Sequence, residues 1–189
     1  MRWQQLFADL QAQFEEEEAA AERGESASRA RAEVGAVTLA QRLGGALGRA
    51  VSLRCRGAGQ VAGALVDVGV DWVLLEDERG RSSLVAASAV RSVAGLGRLT
   101  AAAEEAGAVR GRLDLRRALR GLARDRSTVQ VVLDDGTVLT GTLDRVGADY
   151  VELAEHPVDV PRRAEAVQGV SAVVITAIAV VRTTVPALG

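Results

Sequence analysis

Several residue types that common active sites and binding motifs require are scarce or absent from this sequence. Its 189 residues include one cysteine and one histidine, and there is no lysine or asparagine. No second histidine or cysteine stands at metal-ligand spacing from His156, which precedes Pro157 and which we expect to be exposed in a loop. The absence of lysine excludes a P-loop, and no GxGxxG motif joins a strand to a helix. The sequence therefore predicts that the protein is not an enzyme and has no catalytic residues, no cofactor and no metal site.

Long apolar runs are also absent. The longest one, residues 170–181, is too short to span a bilayer, and its many β-branched residues favour buried strands. The acidic N-terminus has no continuous apolar core and does not resemble a signal peptide. The single cysteine, Cys55, lies in an alternating apolar run and cannot form a disulfide within the chain. These features predict a cytoplasmic protein that does not enter the membrane.

Alanine, valine, glycine and arginine dominate the composition. Hydrophobic residues make up 48% of the chain, which is enough for a packed core. All 23 basic residues are arginine and the formal net charge is −2, so no global basic field attracts nucleic acid. The codons of the dominant residues are GC-rich, which indicates a high-GC bacterial genome.

Residues 1–35 are predicted to form an N-terminal amphipathic helical arm. Apolar residues recur there at intervals of three and four, which places them on one face of a helix. Gly24 is expected to end or bend this helix, and Ser26 to cap a second helix that runs to about Leu47. The apolar face either docks a partner or packs against the rest of the chain. Its members are Trp3, Leu6, Phe7, Leu10 and Phe14.

From Val51 the apolar period changes from helical spacing to two, which is typical of strands, and this strand pattern occurs twice. A shift of 78 aligns residues 51–75 with residues 129–153 without a gap, and the turn glycines and the aromatic pair Trp72/Tyr150 coincide. A shift of 88 aligns the end of each copy, so the second copy has ten more residues (88 − 78) in its last long loop. A helix is expected before each copy. The sequence therefore indicates an internal repeat of one helix followed by about five strands.

The second copy contains an alternating strand, an Asp-Gly hairpin and a second strand with an internal glycine. Asp-Gly suits a tight hairpin because glycine adopts positive φ without steric cost. The residues that carry this pattern are Val129, Val131, Leu133, Asp135, Gly136, Gly141 and Leu143. The pattern resembles the first two strands of Sm-like proteins, which include Hfq and the LSm proteins.

The resemblance implies a mainly β fold with helices (α+β), in which the N-terminal arm precedes two Sm-like five-stranded small barrels. Each barrel is expected to follow a helix. The implied domains are the arm at residues 1–35, the first helix and barrel at 36–98, a linker at 99–111, and the second helix and barrel at 112–185.

The usual RNA site of this family is not retained. Hfq-like proteins carry tyrosine, lysine and histidine before the last strand, and the corresponding residues here are Ala86, Ala87 and Ser88 in the first copy and Val174, Ile175 and Thr176 in the second. These side chains offer no aromatic ring, cation or imidazole for stacking and phosphate contacts. The base-reading asparagine of the LSm proteins is also absent. The pore is therefore not the expected RNA site.

The helix before the second copy carries an arginine stripe on the side away from Leu115, Leu119 and Leu122. Arginine suits phosphate because its planar fork donates two hydrogen bonds at once. The stripe favours binding of nucleic acid, RNA in particular, or a regulatory role. The alternatives are an ordinary solvated face and a protein-interaction scaffold without nucleic acid. The candidate residues are Arg112, Arg116, Arg117, Arg120 and Arg124.

The strands at the edges of the repeats are a second candidate surface. Sm-like barrels pair the fourth strand of one barrel with the fifth of the next, and such edges need covering. One pair of edges could be covered within the chain, barrel against barrel. The outer edges predict a homo-oligomer, a dimer or trimer, held by barrel edges or by the N-terminal helices.

Overall fold

The computed structural model describes residues 34–101, 113–158 and 167–183, together with positions 11, 13, 16–18, 22–24, 28, 31 and 32. The chain divides into two compact units, Met1–Thr38 and Leu39–Gly189. In the first unit, the described positions from 11 to 36 are helical. The second unit contains the described strands, and the account below concerns that unit.

Two short helices and ten strands make up the described part of the second unit. The first repeat comprises helix α1 (Leu39–Gly44) and strands β1 (Ala50–Cys55), β2 (Gly59–Val68), β3 (Trp72–Glu76), β4 (Ser82–Ala86) and β5 (Val90–Ala94). The second repeat comprises helix α2 (Leu115–Asp125) and strands β6 (Thr128–Leu133), β7 (Val138–Val146), β8 (Tyr150–Glu155), β9 (Gly169–Val174) and β10 (Ile178–Thr183). A single 3₁₀ turn joins β4 to β5, and another joins β9 to β10.

All ten strands belong to one antiparallel sheet, in the order β5-β1-β2-β3-β4-β10-β6-β7-β8-β9. The prediction of two separate Sm-like five-stranded barrels is therefore wrong. The sheet is continuous because β10 forms backbone hydrogen bonds with β6 on one side and with β4 of the first repeat on the other. The fourth strand of one repeat thus pairs with the fifth strand of the other, and this pairing covers two edges within the chain.

The internal repeat itself is confirmed strand by strand. A shift of 78 places β1 on β6 and the start of β3 on the start of β8, while a shift of 88 places the end of β4 on the end of β9 and the start of β5 on the start of β10. The additional residues of the second repeat lie between β8 and β9, at residues 156–168, where the first repeat has the short turn at residues 77–81. The strand order within each half of the sheet is the same.

The helix predicted to run from Ser26 to about Leu47 is wrong at its C-terminal end. Residues 37 and 38 are not helical, and α1 ends at Gly44. A Cβ at Gly45 would lie 2.7 Å from the carbonyl oxygen of Leu99, so the passing chain requires a residue without a side chain here. Glycine also disfavours continuation of the helix.

The core consists of aliphatic side chains that alternate along the strands, with Leu115 and Leu119 of α2 packed against it. The largest fully buried side chains include Leu65 and Leu75 of the first repeat, which a shift of 78 places on Leu143 and Leu153 of the second. Each repeat therefore fills its interior with the same positions, as the shift of 78 predicts.

The glycines at positions 63 and 141 allow neighbouring strands to approach closely. A Cβ at Gly63 would lie 2.5 Å from the carbonyl oxygen of Glu76, and a Cβ at Gly141 would overlap the carbonyl oxygen of Ala154. Because backbone rather than a flexible side chain occupies the space, neither site can accept a larger residue without moving a strand.

We predict that Gly141→Ala lowers the free energy of unfolding by about 1–3 kcal/mol, because overpacking against backbone forces the strands apart. The matched control is Gly121→Ala, since a Cβ at Gly121 of α2 meets nothing within 4 Å. Alanine is the better helix former, so the control should gain about 0.5–1 kcal/mol. Urea unfolding monitored by circular dichroism measures both, and an unchanged Gly141→Ala midpoint would contradict the packing described.

Candidate functional site

Helix α2 presents three arginines on its exposed side. Its N-cap is Asp114, whose side chain accepts a hydrogen bond from the backbone N–H of Arg117 (2.8 Å), and its apolar side packs on β7. Arg117, Arg120 and Arg124 are exposed. Their spacing of three and four residues places them on one face. We call these three residues the arginine face.

The structure separates the other predicted arginines from this face. Arg116 is half-buried, and its Nη1 donates to the carbonyl oxygen of Ala148 (3.3 Å) while its Nη2 lies 3.6 Å from Asp114. It therefore links α2 to the turn before β8. Arg112 lies outside the described residues. Arg126, which the sequence analysis did not single out, is exposed at the C-cap of α2. Its position two residues after Arg124 is the sequence feature that could have pointed to it.

The start of α2 is held by the turn between β2 and β3 of the first repeat. Nε1 of Trp72 donates to the carbonyl oxygen of Leu113 (2.7 Å), and the carboxylate of Asp71 accepts from the backbone N–H of Leu115 (2.6 Å). The body of α2 packs on β7 of the second repeat. Helix α2 therefore contacts both repeats, and this fixes the position of the arginine face relative to the sheet.

Strands β5 and β9 are the two ends of the sheet. Among the described strands, β5 pairs only with β1 and β9 only with β8. Val170 and Val174 of β9 are exposed, as are Arg91 and Ser92 of β5. Both edges therefore present backbone N–H and C=O groups that a further strand could use.

His156 is not the exposed loop residue that the sequence predicts; it is 3% exposed. Its Nδ1 lies 2.9 Å from the carbonyl oxygen of Pro157 and its Nε2 lies 2.8 Å from Oγ1 of Thr142. Because a carbonyl only accepts, Nδ1 carries the proton, and in the neutral ring Nε2 accepts from the Thr142 hydroxyl. The first repeat has Glu78 and Ala64 at the two corresponding positions. The buried contact between His156 and Thr142 therefore occurs in the second repeat only.

The remaining sequence candidates are distributed as follows. Ala86 is buried at the end of β4, whereas Ala87 and Ser88 are exposed on the 3₁₀ turn. In the second repeat, Val174 is the last residue of β9, and Ile175 and Thr176 lie on the corresponding 3₁₀ turn. The five apolar residues of the predicted arm, Trp3, Leu6, Phe7, Leu10 and Phe14, lie outside the described residues.

Cys55 is buried at the end of β1. Burial raises the pKa of its thiol, and the nearby charges of Arg182 and Arg91 oppose that rise. A buried thiol with a raised pKa forms little thiolate at neutral pH, so this cysteine serves packing rather than nucleophilic chemistry.

We predict a coupling of about 1 kcal/mol between Thr142→Val and His156→Leu in the free energy of unfolding, because the two side chains share a buried hydrogen bond. The control is Thr176→Val, because Thr176 is exposed in the 3₁₀ turn that follows β9, whereas His156 lies beside the start of that strand. Its effect should add to that of His156→Leu without coupling. Urea unfolding of the four proteins of each cycle measures the coupling, and equal values in both cycles would rule out the bond.

Within the described ranges, no group of three or more histidine, cysteine, aspartate or glutamate side chains is placed to hold a metal ion. None of the helices in those ranges combines the length and apolar character that crossing a membrane requires. The arginine face and the two sheet edges are the candidate surfaces for function described above. The sequence matches no protein-family profile and no curated protein.

Proposed function

We propose that the protein is a non-enzymatic, cytoplasmic scaffold that assembles with copies of itself through the free edges of its sheet. The observation that carries this proposal is the pairing of β4 with β10 inside the chain. Strand β9 is the repeat counterpart of β4, and β5 is the counterpart of β10. The two ends of the sheet, β5 and β9, are therefore counterparts of the two strands that pair with each other inside the chain.

The exposure of the two edges supports this assignment. In β10, Ile178, Ala179, Val180 and Val181 are all buried, because β4 and β6 flank the strand. No residue of the counterpart strand β5 is buried, and Arg91, Ser92 and Ala94 are exposed. Strand β5 therefore differs from β10 in lacking a second neighbouring strand, and a second chain could supply that strand.

We predict that light scattering at micromolar concentration finds a homo-oligomer, and that Val174→Lys or Ala94→Lys raises its dissociation constant about tenfold or more, since a lysine on an edge strand opposes strand addition. Val174 and Ala94 are exposed residues of β9 and β5.

The matched control is Val66→Lys, which places the same charge at an exposed position of the inner strand β2 and should leave association unchanged. A wild-type protein that remains monomeric would overturn the scaffold proposal, as would an oligomer that neither edge substitution weakens.

A second proposed function is binding of single-stranded RNA by the arginine face, which would make the scaffold a regulatory RNA-binding protein. The specific observation in its favour is that Arg117, Arg120 and Arg124 are exposed on one side of a helix, with Asp125 the nearest exposed acid on that helix. Three guanidinium groups at this spacing can contact successive phosphates.

We predict that the triple variant Arg117→Ala, Arg120→Ala, Arg124→Ala weakens binding of labelled single-stranded RNA in fluorescence anisotropy. Each phosphate contact contributes about 0.7 to the dependence of log K on log salt concentration, so the slope should fall by about 2. The control variant replaces Arg54, Arg79 and Arg98, which are exposed on other elements, and changes the net charge equally. Equal weakening in both variants, or no binding at low salt, would refute the arginine face as an RNA site.

A further inference from the structure

The junction between the two repeats has two parts. One is the pairing of β4 with β10, and the other is the contact of the β2–β3 turn with the start of α2. At this contact Trp72 and Leu115 are each only 5% exposed. At the junction between the two repeats, strand pairing and a helix contact therefore occur together.

The second repeat carries a counterpart of the β2–β3 turn that has no helix start on it from within the described chain. A shift of 78 places Asp71 on Asp149 and Trp72 on Tyr150. Tyr150 is 38% exposed and Asp149 is exposed. The local backbone is the same in both turns, since the carbonyl oxygen of Asp149 accepts from the N–H of Ile175 as that of Asp71 accepts from Ala87.

The first repeat carries a counterpart of the start of α2. A shift of 76 places Leu39 on Leu115 and Leu43 on Leu119, and it places Thr38, directly before α1, on Asp114, directly before α2. Leu43 is buried like Leu119. Leu39, however, is 50% exposed, whereas Leu115, which contacts the first repeat, is 5% exposed.

The crevice between the repeats is lined by Leu74 on one side and Ala118 on the other. The corresponding residues elsewhere in the repeats are Glu152 and Arg42, which are half-buried and have partners within the chain. Glu152 forms an ion pair with Arg145, and the guanidinium of Arg42 donates to backbone carbonyl oxygens of residues 97–99. These two charges therefore contribute nothing to the contact proposed below.

We propose that Leu39 at the start of α1 docks on Tyr150 and Asp149 of a second copy of this chain, in the way that Leu115 docks on Trp72 and Asp71. The proposal rests on the self-assembly proposed above and specifies its geometry. Because the two surfaces lie in different repeats, each chain offers one of each, and the contact is head-to-tail. An isologous dimer through matching edges is excluded by this arrangement.

The test uses two full-length variants, Leu39→Glu and Tyr150→Glu, each of which blocks one of the two surfaces. By light scattering, each variant alone should associate at least about tenfold more weakly than the wild type. An equimolar mixture should form a heterodimer and no larger species, because it contains only one pair of intact surfaces. Asp149→Lys replaces Tyr150→Glu if the latter lowers the melting temperature, since Asp149 is exposed.

Val138→Glu is the control, because Val138 is an exposed aliphatic residue at the opposite end of β7 from this turn. It should associate as the wild type does. Wild-type association that persists in Leu39→Glu and Tyr150→Glu would overturn this docking while leaving assembly through the edges intact. A mixture that does not recover a heterodimer would also overturn it. A monomeric wild type would instead overturn the underlying assembly.

Discussion

The pairing of β4 with β10 is the contact on which the rest of the structure depends. Without it, each strand would expose a row of backbone donors and acceptors, and the aliphatic side chains of β10 would face water on a sheet edge. With it, ten strands share one sheet and the two repeats have a fixed relation. Helix α2 can then contact the first repeat through Leu113 and Leu115 while packing on β7.

The joint also explains why corresponding residues differ between the repeats. Side chains at the internal junction, such as Trp72, Leu115 and Val180, are apolar and buried. Their counterparts at the ends of the sheet, Tyr150, Leu39 and Ser92, are more polar or more exposed. A permanent interface favours dry apolar contacts, whereas a surface that also exists in water carries polar groups. Corresponding positions therefore share one strand arrangement but differ in solvent exposure between the middle and the ends of the sheet.

Much of the strand pattern could be predicted from the sequence, because alternation and turn glycines are local signals. The shifts of 78 and 88 relate the strands of one repeat to those of the other, and Gly63 and Gly141 mark the close approaches. The single sheet could not be predicted in the same way, since nothing local distinguishes a strand that closes its own repeat from one that also joins another. The burial of His156 was missed because its partner, Thr142, lies on a neighbouring strand. Arg116 could not be distinguished from Arg120 by sequence, because its hydrogen bond to the carbonyl oxygen of Ala148 joins residues that are distant along the chain.

Of the two edge strands, β5 carries one charged residue, Arg91, and β9 carries none. Strand β5 carries Arg91 and Ser92 where β10 has Ala179 and Val180, so an arbitrary strand gains little by pairing there, which protects the edge from aggregation. In the proposed assembly a second copy would gain more, because it would add the docking of Leu39 to the strand pairing. Such an assembly would also repeat the arginine face, so that a single RNA strand could bind several weak sites at once with an avidity that one chain lacks.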